Sequence, residues 1–306
     1  HVTTPLPVPE VTLEWPLPPI GATGGMSIEG AGSSASVIRR GSDFVDDGAA
    51  LLNIASDEIL LRNIAIDAGS LDAIVVRGER AQLENIAVRN AGVAIRVIDA
   101  ADMRLDGSRI EESEFGMRIE GNYARIAIVG NTFSANRNTG LWVVFAGEDI
   151  DPRNSVAIHD NRFSGGRNGI VVANALAELR GNRLNALAST GISILESQTV
   201  LDSNRIVDGN GTGLHLAGLR DSVVIRNEIG RNTLVGIMIV DADGLRVENN
   251  QVYGNGYGIA AVGRSAQSAV LRGNTLVDHT IDGLVTIGDA PVIDGNHALR
   301  NRQAGI

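Results

Sequence analysis

The chain contains no cysteine, so no disulfide braces it and no thiolate is present to ligate a metal. Lysine is missing too. All 26 basic residues are arginine, which removes a lysine base from any catalytic scheme. Aromatic residues make up only 3% of the 306 positions, too few for a large core built on rings. No run of 18 apolar residues occurs, so no segment has the length and polarity of a membrane-spanning helix. A cationic excess is also lacking: the formal net charge of −10 argues against broad attraction to nucleic acid or to an anionic membrane surface. No signal-peptide pattern opens the sequence. Proline is scarce except at the start, where Pro5, Pro7, Pro9, Pro16, Pro18 and Pro19 crowd together. That density suits neither a helix nor a central strand, so residues 1–25 read as an extended Pro-rich segment.

What is abundant points to strands. Glycine occurs 37 times, and much of the 43% hydrophobic content is Val, Ile, Leu and Ala, side chains that suit a pleated, half-buried surface. From residue 59 onward one pattern recurs. An apolar-x-apolar strand leads to a turn Asn, an apolar residue follows two positions later, and a polar loop ends in Gly-Ile or Gly-Leu. Asn161-Arg162-Phe163 leading to Gly169-Ile170 and Asn182-Arg183-Leu184 leading to Gly191-Ile192 are clear copies. The turn position falls at Asn63, Asn85, Ser108, Asn131, Asn161, Asn182, Asn204, Asn227, Asn250, Asn274 and Asn296, with gaps of 21 to 24 residues and one of 30.

Such a period predicts a solenoid: three short strands and three turns use about 22 residues, and successive coils stack about 4.8 Å apart. Phe133, Phe163, Leu184, Ile206, Ile229, Val252 and Leu276 are then expected to form one interior column. Asn at the turn is expected to tolerate a left-handed backbone and to bond the Asn of the next coil. Glycine before the third strand is read as freedom for the chain to leave its loop. A charged column, Arg180, Asp202, Arg226, Glu248, Arg272 and Asp294, alternates in sign and suits structural cross-coil pairing.

These residues, with Ser27-Ile28-Glu29-Gly30-Ala31-Gly32 as a first coil, resemble the right-handed parallel β-helix of the pectin-lyase-like superfamily. That group includes polysaccharide lyases, polygalacturonases, alginate epimerases and NosD-type periplasmic proteins. The resemblance implies an all-β, single-stranded right-handed parallel β-helix over 26–306, continuing or capped beyond 306. It also implies a secreted, periplasmic or cell-surface location. In the family, the strand after the glycine faces a carbohydrate groove. Here its outward positions run Val75, Arg96, Arg118, Trp142, Val171, Ser193, His215, Met238, Ala260 and Val285.

The polar end of that face meets the one long coil, whose extra residues 147–154 include Glu148, Asp149 and Asp151. Arg118, Tyr123 and Asp151 are the catalytic candidates, with Arg118 or Tyr123 as base. Arg96, Glu120, Trp142, Asp149 and His215 are the substrate-binding candidates, although Ser193, Met238 and Ala217 offer His215 no evident partner. Arginine suits a sugar carboxylate, Trp142 suits stacking on a sugar ring, and the acidic groups suit acid–base work or Ca²⁺. No other cofactor is implied, and the dispersed histidines His159, His279 and His297 do not suggest a metal site.

The function expected is therefore binding or processing of an acidic polysaccharide, by elimination or epimerisation if there is chemistry. Nucleic acid is not an expected partner. The alternative is a non-catalytic surface or periplasmic scaffold or adhesin acting through protein contacts. On that reading the apolar end of the face (Val171, Leu195, Met238, Val240, Val262, Ile287) serves as a homo-oligomer interface. Signatures of related enzymes are mostly missing: there is no Gly-His-Gly triplet, and Asp151-Pro152-Arg153 matches the epimerase Asp-Pro-His at two residues only.

Overall fold

The computed structural model describes the backbone of Val11–Leu13 and residues 25–40, 50–145, 153–263, 269–289 and 291–306. Every element in these residues is a strand. Each coil passes through three parallel sheets in turn. Sheet 1 has twelve strands from Ser27–Glu29 to Val292–Asp294, sheet 2 has thirteen from Val11–Leu13 to His297–Leu299, and sheet 3 has eleven from Leu52–Ile54 to Leu284–Gly288. Each strand pairs in parallel with its counterpart one coil away, so residues about 22 apart become neighbours along a parallel β-helix. Within residues 1–25, Val11–Leu13 is proline-free and pairs with Val37–Arg40 at the edge of sheet 2.

The interior column forms as the spacing predicts. Ile110, Phe133, Phe163, Leu184, Ile206, Ile229, Val252 and Leu276 pair in unbroken register. The Phe133 and Phe163 rings lie 4.7 Å apart at an interplanar angle of 2°, stacked by the coil spacing. Like meets like because each coil places the same side chain over the one below. The core therefore needs aliphatic layers rather than large rings.

The asparagine turn between sheets 1 and 2 forms by a different mechanism from the one expected. From Asn131 through Asn296 the asparagines do form a ladder, but none has positive φ, and all except the half-buried Asn296 are buried. Each amide bridges two coils. Asn161 accepts from the Asn131 N–H through Oδ1 (2.9 Å) and donates from Nδ2 to the Ile128 carbonyl (2.8 Å). The left-handed backbone belongs to the residue before, such as Gly130, Asp160, Gly181, Ser203 and Arg226. Asn63 (φ 57°) and Asn85 (φ 49°) occupy that earlier position, so the ladder proper begins at Ser108, whose Oγ accepts from the Ile86 N–H. A second ladder, not expected from the sequence, runs between sheets 2 and 3. Asn232 donates its N–H to Asn255 Oδ1, Asn255 to His279 Nδ1, and His279 to Asn301 Oδ1 (2.8, 3.1 and 3.1 Å).

The glycine before sheet 3 also has a reason other than the one read from the sequence. Gly169, Gly191, Gly213, Gly236 and Gly258 do not have positive φ. They lack room: a Cβ on Gly191 would lie 2.4 Å from Ile206 Cγ2 and 2.6 Å from the Gly213 carbonyl oxygen. The charged column needs one shift as well. Ile225, not Arg226, pairs in register between Asp202 and Glu248, yet the Arg226 guanidinium reaches back from the turn to Asp202 at 2.5 Å.

Candidate functional site

Sheet 3 carries its outward side chains in register, and the order is the one anticipated. Val75, Arg96, Arg118, Trp142, Val171, Ser193, His215, Met238, Ala260 and Val285 follow one another coil by coil. Two positions further along each strand, Ile98, Glu120, Val144, Ala173 and Leu195 form a second outward column. A parallel sheet thus sets residues from distant sequence positions side by side at the coil spacing.

Arg118 is the centre of the polar end. Its guanidinium carbon lies 5.0 Å from the centroid of Phe115 and 5.5 Å from that of Trp142, and the two rings meet edge to face at 5.7 Å. Glu120 approaches Arg118 Nε at 2.5 Å, close but without the alignment of a hydrogen bond. Arg96 is tied to Asp72 at 3.2 Å, and Asp72 also accepts from the Val93 N–H at 2.9 Å. Both outward arginines therefore arrive with an internal counter-ion. Phe115 opens its sheet 3 strand and Asp72 stands two residues ahead of its own; both fall three residues before the column position, where no repeat residue marks them in the sequence.

The remaining candidates separate. Tyr123 is not on this face. It is 1% exposed, its ring packs edge to face on Phe145 at 6.0 Å, and its hydroxyl has no partner among the described residues. Burial pushes its phenol well above the ordinary range, so it remains protonated and is no base for a ligand outside the coils. His215 stands four coils from Arg118, about 19 Å at the usual strand spacing. It has a partner the sequence reading did not find: Ser193 Oγ lies 3.2 Å from His215 Nδ1, and burial lowers the imidazole pKa. Asp149 and Asp151, with Glu148, lie outside the described residues. Among the described residues no cluster of three His, Cys, Asp or Glu is placed to hold a metal, and no helix is long and apolar enough to cross a membrane.

Two surface depressions lie on the other sheets. One of about 320 Å³ lies on sheet 2 among Arg39, Asp67, Arg89, Arg109 and Glu111. Another of about 410 Å³ lies on sheet 1 around Ala157 and Glu178.

With the three-sheet coil in place, comparison with known proteins agrees with the architecture. The family described as "Right handed beta helix region" matches residues 22–156 and 149–302, and the chain belongs to that family. No curated protein sequence matches the chain. Among solved structures it is similar to the A-module of mannuronan C-5 epimerase AlgE6 of Azotobacter vinelandii. That match has a TM-score of 0.75 and 14% identity, covering 94% of this chain and 88% of that one. The periplasmic alginate epimerase AlgG gives a TM-score of 0.67 at 12% identity over 90% of this chain and 74% of that one. The surface protein and adhesin PfbA of Streptococcus pneumoniae gives 0.57 at 10% identity over 97% and 87%. At these identities the likeness is one of fold, since catalytic and adhesive proteins share it.

Proposed function

We propose that the outward face of sheet 3 binds a chain of an acidic polysaccharide outside the cytoplasm. The observation that carries this reading is the grouping of Phe115, Trp142, Arg118 and Glu120 across two adjacent coils. A half-buried indole edged by an arginine offers a sugar ring an apolar platform, with a guanidinium beside it for a carboxylate. The similar epimerases named above act, as their names say, on mannuronan or alginate, which supports an acidic glycan as the ligand.

Arg118 serves here as an anion holder, because a guanidinium stays charged at any working pH. Hydrolysis is disfavoured. Glycosidases need two free carboxyl groups across the scissile bond, whereas among the described residues the carboxylates of this polar end, Asp72 and Glu120, are each committed to an arginine. Chemistry on this face would therefore be elimination or epimerisation at a uronic acid, with Asp149 or Asp151 as the acidic partner. Incubation with polyuronates, followed by ultraviolet absorbance of unsaturated ends and by NMR of C5 configuration, tests catalysis. Calorimetry with Trp142→Ala tests binding, and polyuronate binding that is indifferent to this substitution removes the reading.

A second reading is favoured by the other end of the same face. Val171, Met238 and Val240 are partly exposed there, and Ile287 is 60% exposed. A strip of that kind suits a protein contact, as in a scaffold or adhesin. Light scattering decides it: a stable oligomer dispersed by Met238→Glu supports the scaffold, and a monomer at all concentrations opposes it.

A further inference from the structure

Sheet 2 carries an arrangement that stability alone disfavours. Arg162, Arg183 and Arg205 occupy the same outward position in three successive coils and pair in register. Like charges set directly opposite one another repel, and elsewhere this fold avoids the problem by pairing arginines with carboxylates one coil away. Arg89 pairs with Asp67, Arg125 with Asp102, Arg231 with Asp208 and Arg300 with Asp278. In the arginine row only Arg205 has such a partner, Glu228 at 2.9 Å, where the row ends. Arg162 and Arg183 are exposed and have no anionic partner among the described residues.

The surroundings add to the charge. Residues 161–195 hold four arginines and one acidic residue, Glu178, in a chain whose net charge is −10. Glu178 is itself taken up by Arg180 and His159 on sheet 1. Two residues along each strand from Thr132, Arg162 and Arg183, the side chains of Ser134, Ser164 and Asn185 form a parallel outward row of hydroxyl and amide groups, which ends at Val207 beside Arg205. In the direction of the N-terminus the arginine column continues through Thr132 to Arg109, which lines the 320 Å³ depression and has no ionic partner among the described residues.

We propose that this face of sheet 2 is a binding track for a linear polyuronate, separate from the sheet 3 face. The row of cations repeats at the coil spacing of about 4.8 Å, close to the length of one sugar residue in an extended chain. Successive carboxylates can therefore meet successive guanidinium groups in the bidentate geometry that arginine prefers. The Ser/Ser/Asn row lies where sugar hydroxyls need partners. The coils bearing the arginines present no aromatic side chain on this face, so a single-stranded nucleic acid would find the charge but no stacking surface. Binding also relieves the mutual repulsion of the row, which gives these arginines a reason to be aligned.

The test is calorimetric titration of the whole chain with polygalacturonate, a neutral glucan and a single-stranded oligonucleotide at two salt concentrations. Arg183→Glu turns the row into alternating charges, so thermal stability should hold or rise while polyuronate affinity falls about ten-fold or more. Arg162→Gln with Arg183→Gln should weaken binding likewise and flatten its salt dependence. Binding stoichiometry separates the two faces: Trp142→Ala removes a site on sheet 3, whereas the arginine variants remove one on sheet 2. Several results would overturn the track: no polyuronate binding, unchanged affinity in Arg183→Glu, or equal or tighter binding of the glucan or the oligonucleotide.

Discussion

Replacing Asn182 with alanine tests how the coils are held together. The side chain is fully buried and makes four hydrogen bonds. Its Oδ1 accepts from the Asn161 N–H and Nδ2 at 3.0 and 3.1 Å. Its Nδ2 donates to the Ile158 carbonyl at 2.7 Å and to Asn204 Oδ1 at 2.9 Å. Alanine leaves the Asn161 N–H buried without a partner, while the Ile158 carbonyl stays in the strand ladder of sheet 1 and loses only its second donor. One orphan costs about 1–3 kcal/mol, so with the other lost bonds a loss of about 2–4 kcal/mol is expected. Because a solenoid is coupled mainly between neighbouring coils, urea denaturation should be read alongside amide exchange. Protection should fall in the coils of Asn161 and Asn204 more than near residue 60. Asn185→Ala, an exposed asparagine in the same coil, is the control and should change stability by less than about 0.5 kcal/mol. A loss below about 1 kcal/mol for Asn182→Ala would refute the view that buried amide satisfaction, rather than turn propensity, selects asparagine there.

Three further outcomes are expected. Phe163→Ala empties a buried position stacked on Phe133 and should cost about 3–5 kcal/mol, measured by denaturant midpoint at constant slope. Gly191→Ala, though compatible with its φ, forces a methyl onto Ile206 and the Gly213 carbonyl and should destabilise by about 1–3 kcal/mol; neutrality would mean the coil relaxes easily. His279 is 2% exposed and accepts the Asn255 N–H through Nδ1, and burial holds its pKa below the ordinary histidine value. The fold therefore favours neutral imidazole: its contribution is intact above the unfolded pKa of about 6.5 and declines as pH falls through that value toward the folded one. His279→Asn, which extends the run of asparagines at that turn, should flatten the dependence of melting temperature on pH between 5 and 8. An unchanged dependence would assign it to other groups.

Particular residues show where the sequence could be read and where it could not. The interior phenylalanines, the asparagines from Asn131 onward and the outward order from Val75 to Val285 were legible because a fixed period converts spacing directly into adjacency. Asn63 and Asn85 were misplaced by one residue, since an asparagine suits both the left-handed position and the buried rung beside it. The second ladder went unseen because Ser113, Asn136, Asn232, Asn255, His279 and Asn301 share a location but not a residue type. Tyr123 was assigned to the face, yet its side chain packs inside the coil against Phe145.

By itself the sequence determined the solenoid, its three-strand coil and the column to which most residues belong, because stacking at one coil per period leaves little freedom of register. Tertiary structure alone decided which charges are already neutralised. Arg96 and Arg118 face outward but are held by Asp72 and Glu120, whereas Arg162 and Arg183 stand in register without counter-ions among the described residues. Ion pairing depends on where side chains of adjacent coils reach. Distances of a few ångströms between residues more than twenty positions apart are set by the stacked sheets, not by the composition of any one coil.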